Sequence, residues 1–150
     1  MGAGRFAIVR RATDHLDIEL AGELSDRVLI TCDAEVCAQL SAAKPGVVRV
    51  LIDLVAVEAY SIEARDALVS LQKHLAGKAS QTAFVAATAV SRGLALWVAH
   101  VSQGQVIKSF SRRGDAESWL LGSTGPTTGI RPVARARDGE RRRKRSSAAS

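Results

Sequence analysis

Residues 47–54 read VVRVLIDL, apolar and β-branched nearly throughout, broken only by Arg49 and Asp53. A stretch apolar on both of its alternations is stable as a central strand covered on two faces, so this chain must supply helices to a sheet. The flanking sequence fits that demand. Phe6 to Val9 and Leu16 to Leu20 read as two strands, the second in strict period-two alternation, joined by the polar Thr13-Asp14 stretch into an antiparallel hairpin. After Gly22, Ser25 or Asp26 caps a helix through about Ala43, with Leu29, Cys32, Val36 and Leu40 at three- and four-residue intervals. Lys44-Pro45-Gly46 stops it.

Beyond the central strand, Val55 to Tyr60 is expected to be a loop, and Ser61 opens the clearest helix. Ala64, Ala67, Leu68, Leu71 and Leu75 form its apolar stripe, Arg65, Asp66, Gln72 and Lys73 fall elsewhere, and Gly77 suits its C-terminal cap. Thr82 to Ala87 reads as a short buried strand. Val90 to Val101 reads as a helix with Leu94, Trp97, Val98 and Val101 inward, and Gln105 to Phe110 as an edge strand. A short helix over Asp115 to Leu121 follows. The order β-β-α-β-α-β-α-β-α predicts an α/β fold, a single mixed sheet with about four packed helices over residues 1–121. Residues 122–150 turn to Gly, Ser, Thr and Pro and then to Arg-rich sequence, a composition expected to stay disordered.

Composition supports one compact domain. The chain has 150 residues, 47% apolar and 24% charged, which excludes wholesale disorder and allows a real core without disulfides or structural metal. Residues 1–130 are formally neutral, so the whole net charge of +6 belongs to the last twenty residues. No apolar run reaches the ~18 residues a membrane helix needs, and the N-terminus moves straight into strand pattern without a leader-like segment, so a cytoplasmic location is expected. Cys32 and Cys37 lie within one helix at a spacing that turns them to different faces. Two small buried apolar side chains in a reducing compartment are expected there, and no disulfide.

The patterns of common catalysis are missing. His15, His74 and His100 form no HxxxH pair or local Cys/His cluster, so no metal and no cofactor is expected. Ser61 lacks the glycines of a nucleophile elbow, and Gly2, Gly4 and Gly22 are too scattered to cradle a phosphate. Asp53 and Glu58 invite a paired-acid reading, but the simpler expectation is that Asp53 accepts hydrogen bonds from amides at the strand's end. The chain is expected not to be an enzyme.

The segment LIDLVAVEAYSIEARDAL, Leu51 to Leu68, resembles the signature of STAS domains, the family of bacterial anti-sigma-factor antagonists. There a strand ends in a hydrophobic-Asp-Leu step, and a loop leads to an Asp-Ser-Ser/Thr-Gly turn that opens a helix. The serine or threonine of that turn is phosphorylated by a partner kinase. Asp53-Leu54 match the strand end, Val57 the loop hydrophobe and Ala67-Leu68 the helix. Without a gap, Ser61, Ile62 and Ala64 stand where the family has its Asp, its acceptor and its Gly; a one-residue gap brings Ser61 onto the acceptor. The C-terminal half is similar to a divergent branch grouped with CRAL-TRIO-type lipid-binding folds, which close with a strand and a helix ending Ala-x-x-Trp-Leu. Here these are Val106 to Phe110 and Ala116-Glu117-Ser118-Trp119-Leu120.

The resemblance implies a regulatory module acting in signal transduction and transcription control, with an anti-sigma factor or a switch-kinase-like protein as partner. The expected contact residues are Asp53, Glu58, Tyr60, Ser61, Glu63 and Arg65, with Tyr60 at a loop tip as an anchor. One alternative is a small-ligand or lipid site at Ser91-Arg92-Gly93, where backbone N–H groups and Arg92 would take an anionic head group. Another is nucleic-acid association through Arg141, Arg142, Arg143, Lys144 and Arg145, a run without aromatics to stack on bases.

Overall fold

A computed structural model describes residues 2–102 and 105–122; the expected tail beyond them, including Arg141 to Arg145, lies outside the described residues. The elements run β1 (Arg5–Ala12), β2 (His15–Leu24), α1 (Asp26–Leu40), β3 (Val48–Tyr60), α2 (Ile62–Ala76), β4 (Ala79–Val85), α3 (Ala89–Val101), β5 (Ile107–Phe110) and α4 (Arg113–Gly122). They form one mixed sheet in the order β1-β2-β3-β4-β5. β1 pairs antiparallel with β2, with Ile8 opposite Ile18, and the remaining neighbours are parallel.

That monotonic order decides where the helices go. Each crossover from β2 onward steps one strand in the same direction, and right-handed crossovers then place α1, α2 and α3 on one face. Helix α4 follows the last strand and covers the other. Leu16, Ile18 and Leu20 of β2, Val50, Ile52 and Leu54 of β3 and Phe84 of β4 pack with the α1, α2 and α3 stripes. On the opposite face Leu51, Ala83 and Val85 meet Ala116 and Leu120 of α4, flanked by Phe110 and Trp119. The central strand is therefore covered on both sides. Its one arginine is accommodated at the rim, where Arg49 donates to the Asp14 carboxylate at 3.0 Å and the Leu120 carbonyl at 3.4 Å. No helix among the described residues is long and apolar enough to cross a membrane.

Several expectations are corrected. Val55 to Tyr60 is no loop: β3 continues through it, because β2 keeps pairing after β4 has stopped, with Ala56 opposite Ala21 and Tyr60 opposite Leu24. A register shift between Glu19 and Ala21 breaks the period-two pattern, so Leu54 and Val57 are both buried. Tyr60 consequently ends a strand and packs half-buried against the core, not at a loop tip. Helix α1 stops at Leu40 rather than Ala43, and Cys37 is exposed while Cys32 is buried. Trp97 and Val101 point outward, because Ser91, Leu94, Ala95 and Val98 take the core face of α3. Gln72 faces inward on α2 and donates to the Thr82 hydroxyl at 3.2 Å and to the Gln105 side-chain oxygen at 2.8 Å.

Gly4 and Gly22 share one reason. The N-terminal residues lie across the end of β2, where the Glu23 N–H donates to the Gly2 carbonyl at 3.0 Å. A Cβ on Gly22, whose φ is +79°, would stand 2.4 Å from the Ala3 carbonyl oxygen, and one on Gly4 2.4 Å from that of Glu23.

Candidate functional site

The C-terminal end of β3 delivers the chain to Ser61, which is exposed and has the extended backbone of an N-cap. Its Oγ accepts the Ala64 N–H at 3.0 Å, and its own N–H donates to the Leu24 carbonyl at 3.4 Å. The hydroxyl therefore stands at the positive end of α2 with its position fixed by the helix it starts. Ile62 and Glu63, in the first turn, are exposed too; Ile62 is the notable one, at 64%.

Arg65 connects this turn to α3. Its guanidinium carbon lies 3.8 Å from the centroid of the Trp97 ring, and its Nε is 3.6 Å from the Asp66 carboxylate. A cation over an indole face is held without losing its charge, so Arg65 and Trp97 form a paired amphipathic surface beside Ser61's helix. Sequence reasoning missed Trp97 here. Four apolar residues of α3, Val90, Leu96, Trp97 and Val101, are exposed although α3 has a full inward face; that second stripe was the available signal. The Tyr60 hydroxyl lies close to α3, 3.7 Å from where a Cβ on Gly93 would sit.

The other expected site residues separate. Glu58 is exposed and its Oε1 accepts the Gly2 N–H at 3.1 Å, which ties it to the chain's own N-terminal segment. Asp53 and Glu58 do not share a site. Asp53 Oδ1 accepts the Val55 N–H at 3.0 Å, and Oδ2 accepts from Arg113 at 3.1 Å. Arg113 also binds the buried Asp17 carboxylate and, at 3.1 Å, Glu117. Burial works against the Arg113 charge, but its bonds to Glu117, Asp17 and Asp53 raise its pKa all the same. Asp17 further meets Arg11 at 2.7 Å and His15 at 3.1 Å. Asp53 thus belongs to a charge network that fastens α4 to the sheet.

At the start of α3, Ser91 is fully buried and belongs to a capping box: its N–H donates to Thr88 Oγ1 at 3.0 Å and its Oγ accepts the Thr88 N–H at 2.9 Å. Arg92 is exposed and donates to the Ala87 carbonyl at 3.2 Å. This turn satisfies itself. Among the described residues the strand order is monotonic and has no switch point of the kind at which α/β sheets open a ligand crevice. At the far end of α2, a mixed set of side chains able to ligate metal, Asp33, Cys37 and His74, comes together.

A family model described as SpoIIAA-like matches residues 15–121. No curated protein matches the chain. Among solved structures, a protein of Shewanella loihica PV-4 with a SpoIIAA-like fold is 20% identical, over 80% of this chain and 97% of its own, at a TM-score of 0.64. The anti-sigma factor antagonist SpoIIAA in its unphosphorylated form is 15% identical over 78% and 98%, at 0.55. The phosphorylated Bacillus cell fate determinant SpoIIAA is 13% identical over 76% and 98%, at 0.54.

Proposed function

The chain belongs to the SpoIIAA-like family, and from that premise we propose that it is a non-enzymatic, cytoplasmic regulatory module that binds a protein partner through the start of α2 and the outer face of α3. The likeness in fold to an anti-sigma factor antagonist supports this reading, in which the partner is an anti-sigma factor or a switch-kinase-like protein and the setting transcription control. The observation that carries this reading is the exposed hydroxyl of Ser61 at the head of α2, next to exposed Ile62 and the Arg65–Trp97 pair. Apolar and aromatic groups beside charged ones, none required for the core, are what a protein interface needs.

A phosphate on Ser61 would be favoured by the helix dipole and the free N–H groups of the first turn, so the fold would be retained. Its ~−2 charge beside Glu63 would oppose an acidic partner. The test is partner affinity for wild type, Ser61→Ala, Ser61→Glu and Trp97→Ala, the partner being taken from the native cell with tagged full-length chain. Ala is expected to bind, and Glu and Trp97→Ala each to lose at least ~1.4 kcal/mol, a factor of ten. Equal affinities for all four would overturn the reading, and a partner lost only with residues 131–150 would assign binding to the basic segment instead.

A further inference from the structure

The geometry points to a zinc-class metal site on the outer side of the α1–α2 pair, formed by Asp33 and Cys37 of α1 and His74 of α2, with solvent as the fourth ligand. The carboxylate, thiol and imidazole ligand atoms all lie within 4.8 Å of one another. Asp33 is at the centre. One oxygen, Oδ1, is near both partners: it stands 3.4 Å from Cys37 Sγ and 3.0 Å from His74 Nδ1. In a tetrahedral zinc site, with bonds of about 2.0–2.3 Å, neighbouring ligand atoms stand roughly 3.3–3.7 Å apart. Opening the contact between that oxygen and His74 Nδ1 by about 0.3 Å and drawing Cys37 toward His74 by side-chain rotation reaches that geometry.

The chemistry of the set is specific. Thiolate, imidazole and carboxylate together are a borderline-soft donor set that suits Zn²⁺, whereas Mg²⁺ and Ca²⁺ require oxygen ligands. Asp33 and a Cys37 thiolate supply two negative charges, which one divalent cation neutralises. The thiol proton leaves to solvent, and the imidazole proton on Nδ1 moves to Nε2, freeing Nδ1 to ligate.

The surroundings leave room for the fourth ligand and supply negative charge. Beside the set is a cavity of about 140 Å³ whose lining joins Cys37 and His74 to Val36, Leu40, Leu75 and Lys78; it has room for a coordinated water, and the Lys78 ammonium is engaged by the Ala43 carbonyl at 2.6 Å. On the other side of Asp33 the same interhelical groove is lined by Asp26, Glu63 and Asp66, a run of carboxylates that raises the local cation concentration. Asp33 and Cys37 lie one helical turn apart, and His74 lies 41 residues beyond Asp33, which is why linear spacing does not reveal the set.

The test uses the full chain free of any histidine tag, titrated with Co²⁺ and then with Zn²⁺. One Co²⁺ per chain is expected, with a thiolate-to-cobalt charge-transfer band and the intense visible bands of tetrahedral coordination, both lost on adding Zn²⁺. Cys37→Ser is expected to abolish the charge-transfer band, and Asp33→Asn and His74→Gln each to weaken binding by about tenfold or more. Cys32→Ala leaves the band in place. Zn²⁺ is expected to raise the Tm of wild type but not of Cys37→Ser. Absence of stoichiometric binding, a charge-transfer band that survives Cys37→Ser, or affinity unchanged in His74→Gln would each overturn the assignment.

Discussion

At the scale of single residues, the informative side chains are those whose local pattern suits two environments. Cys32 and Cys37 look alike in sequence, yet one is fully buried on the core stripe of α1 and the other exposed. Burial, with the nearby charges of Asp33 and Glu35, pushes the Cys32 thiol from 9.0 up to about 12. A folded-state pKa raised above the unfolded one means the folded chain holds its proton while the unfolded chain loses it. The associated stability is complete below pH 9 and is lost as pH climbs toward about 12. Urea unfolding above pH 9 is therefore expected to show stability falling by up to ~1.4 kcal/mol per pH unit from this group. Cys32→Ala should carry a constant penalty and a flatter alkaline slope; an unchanged slope would contradict the assignment. Asp53 was legible as an acceptor of a nearby backbone amide, but it lies within β3, at the point where β4 stops pairing, and not at the strand's end. Its tie to Arg113 was not, since the two are 60 residues apart. Gln72 was misplaced because polarity alone assigns it outward, whereas Thr82 and Gln105 satisfy it inside.

At the scale of elements, legibility followed periodicity. Helix α2 was legible in its bounds, from its Ser61 cap to Gly77, and in the Ala64, Leu68, Leu71 and Leu75 stripe, because a single apolar stripe decides which face is buried; Val69 and Gln72 join that face beside it. Leu71 is fully buried on that stripe, so Leu71→Ala is expected to cost ~2–5 kcal/mol, measured as a lower urea midpoint at unchanged slope. No change in midpoint would mean that the α2 face can be emptied without loss. Helix α3 was only half legible: it carries a buried stripe and a second apolar stripe facing outward, and sequence cannot say which is the core. The end of β3 was illegible for a different reason. Its pattern changes where β4 stops pairing, from burial on both faces to partial exposure, and a register irregularity shifts the phase at the same point. A strand that loses one neighbour and keeps the other looks, in sequence, like a strand that has ended.

At the scale of the whole molecule, the element order was legible because each element announces itself locally, while the assignment of helices to faces follows from handedness and a monotonic sheet. That assignment has a consequence for residues 123–150. Among the described residues, both apolar clusters are built from residues between Leu16 and Leu120, together with Phe6 and Ile8 packed against one of them. The sequence after Gly122 adds almost no apolar residue beyond Ile130 and Val133, and has no helical or strand period. It does carry the entire formal net charge of +6, since residues 1–122 are neutral. Truncation after Gly122 is therefore expected to separate stability from solubility. The Tm should move by only a few degrees, since ~1 kcal/mol corresponds to ~2–8 °C in domains of this size. Solubility near neutral pH should fall, because a protein without net charge has lost the repulsion that opposes association. Differential scanning calorimetry and a solubility curve against pH measure the two independently. A loss of cooperative unfolding, or a Tm lower by well over ~8 °C, would mean that the C-terminal segment completes the core. Unchanged solubility at neutral pH would mean that its charge has a role other than keeping the domain apart from its copies.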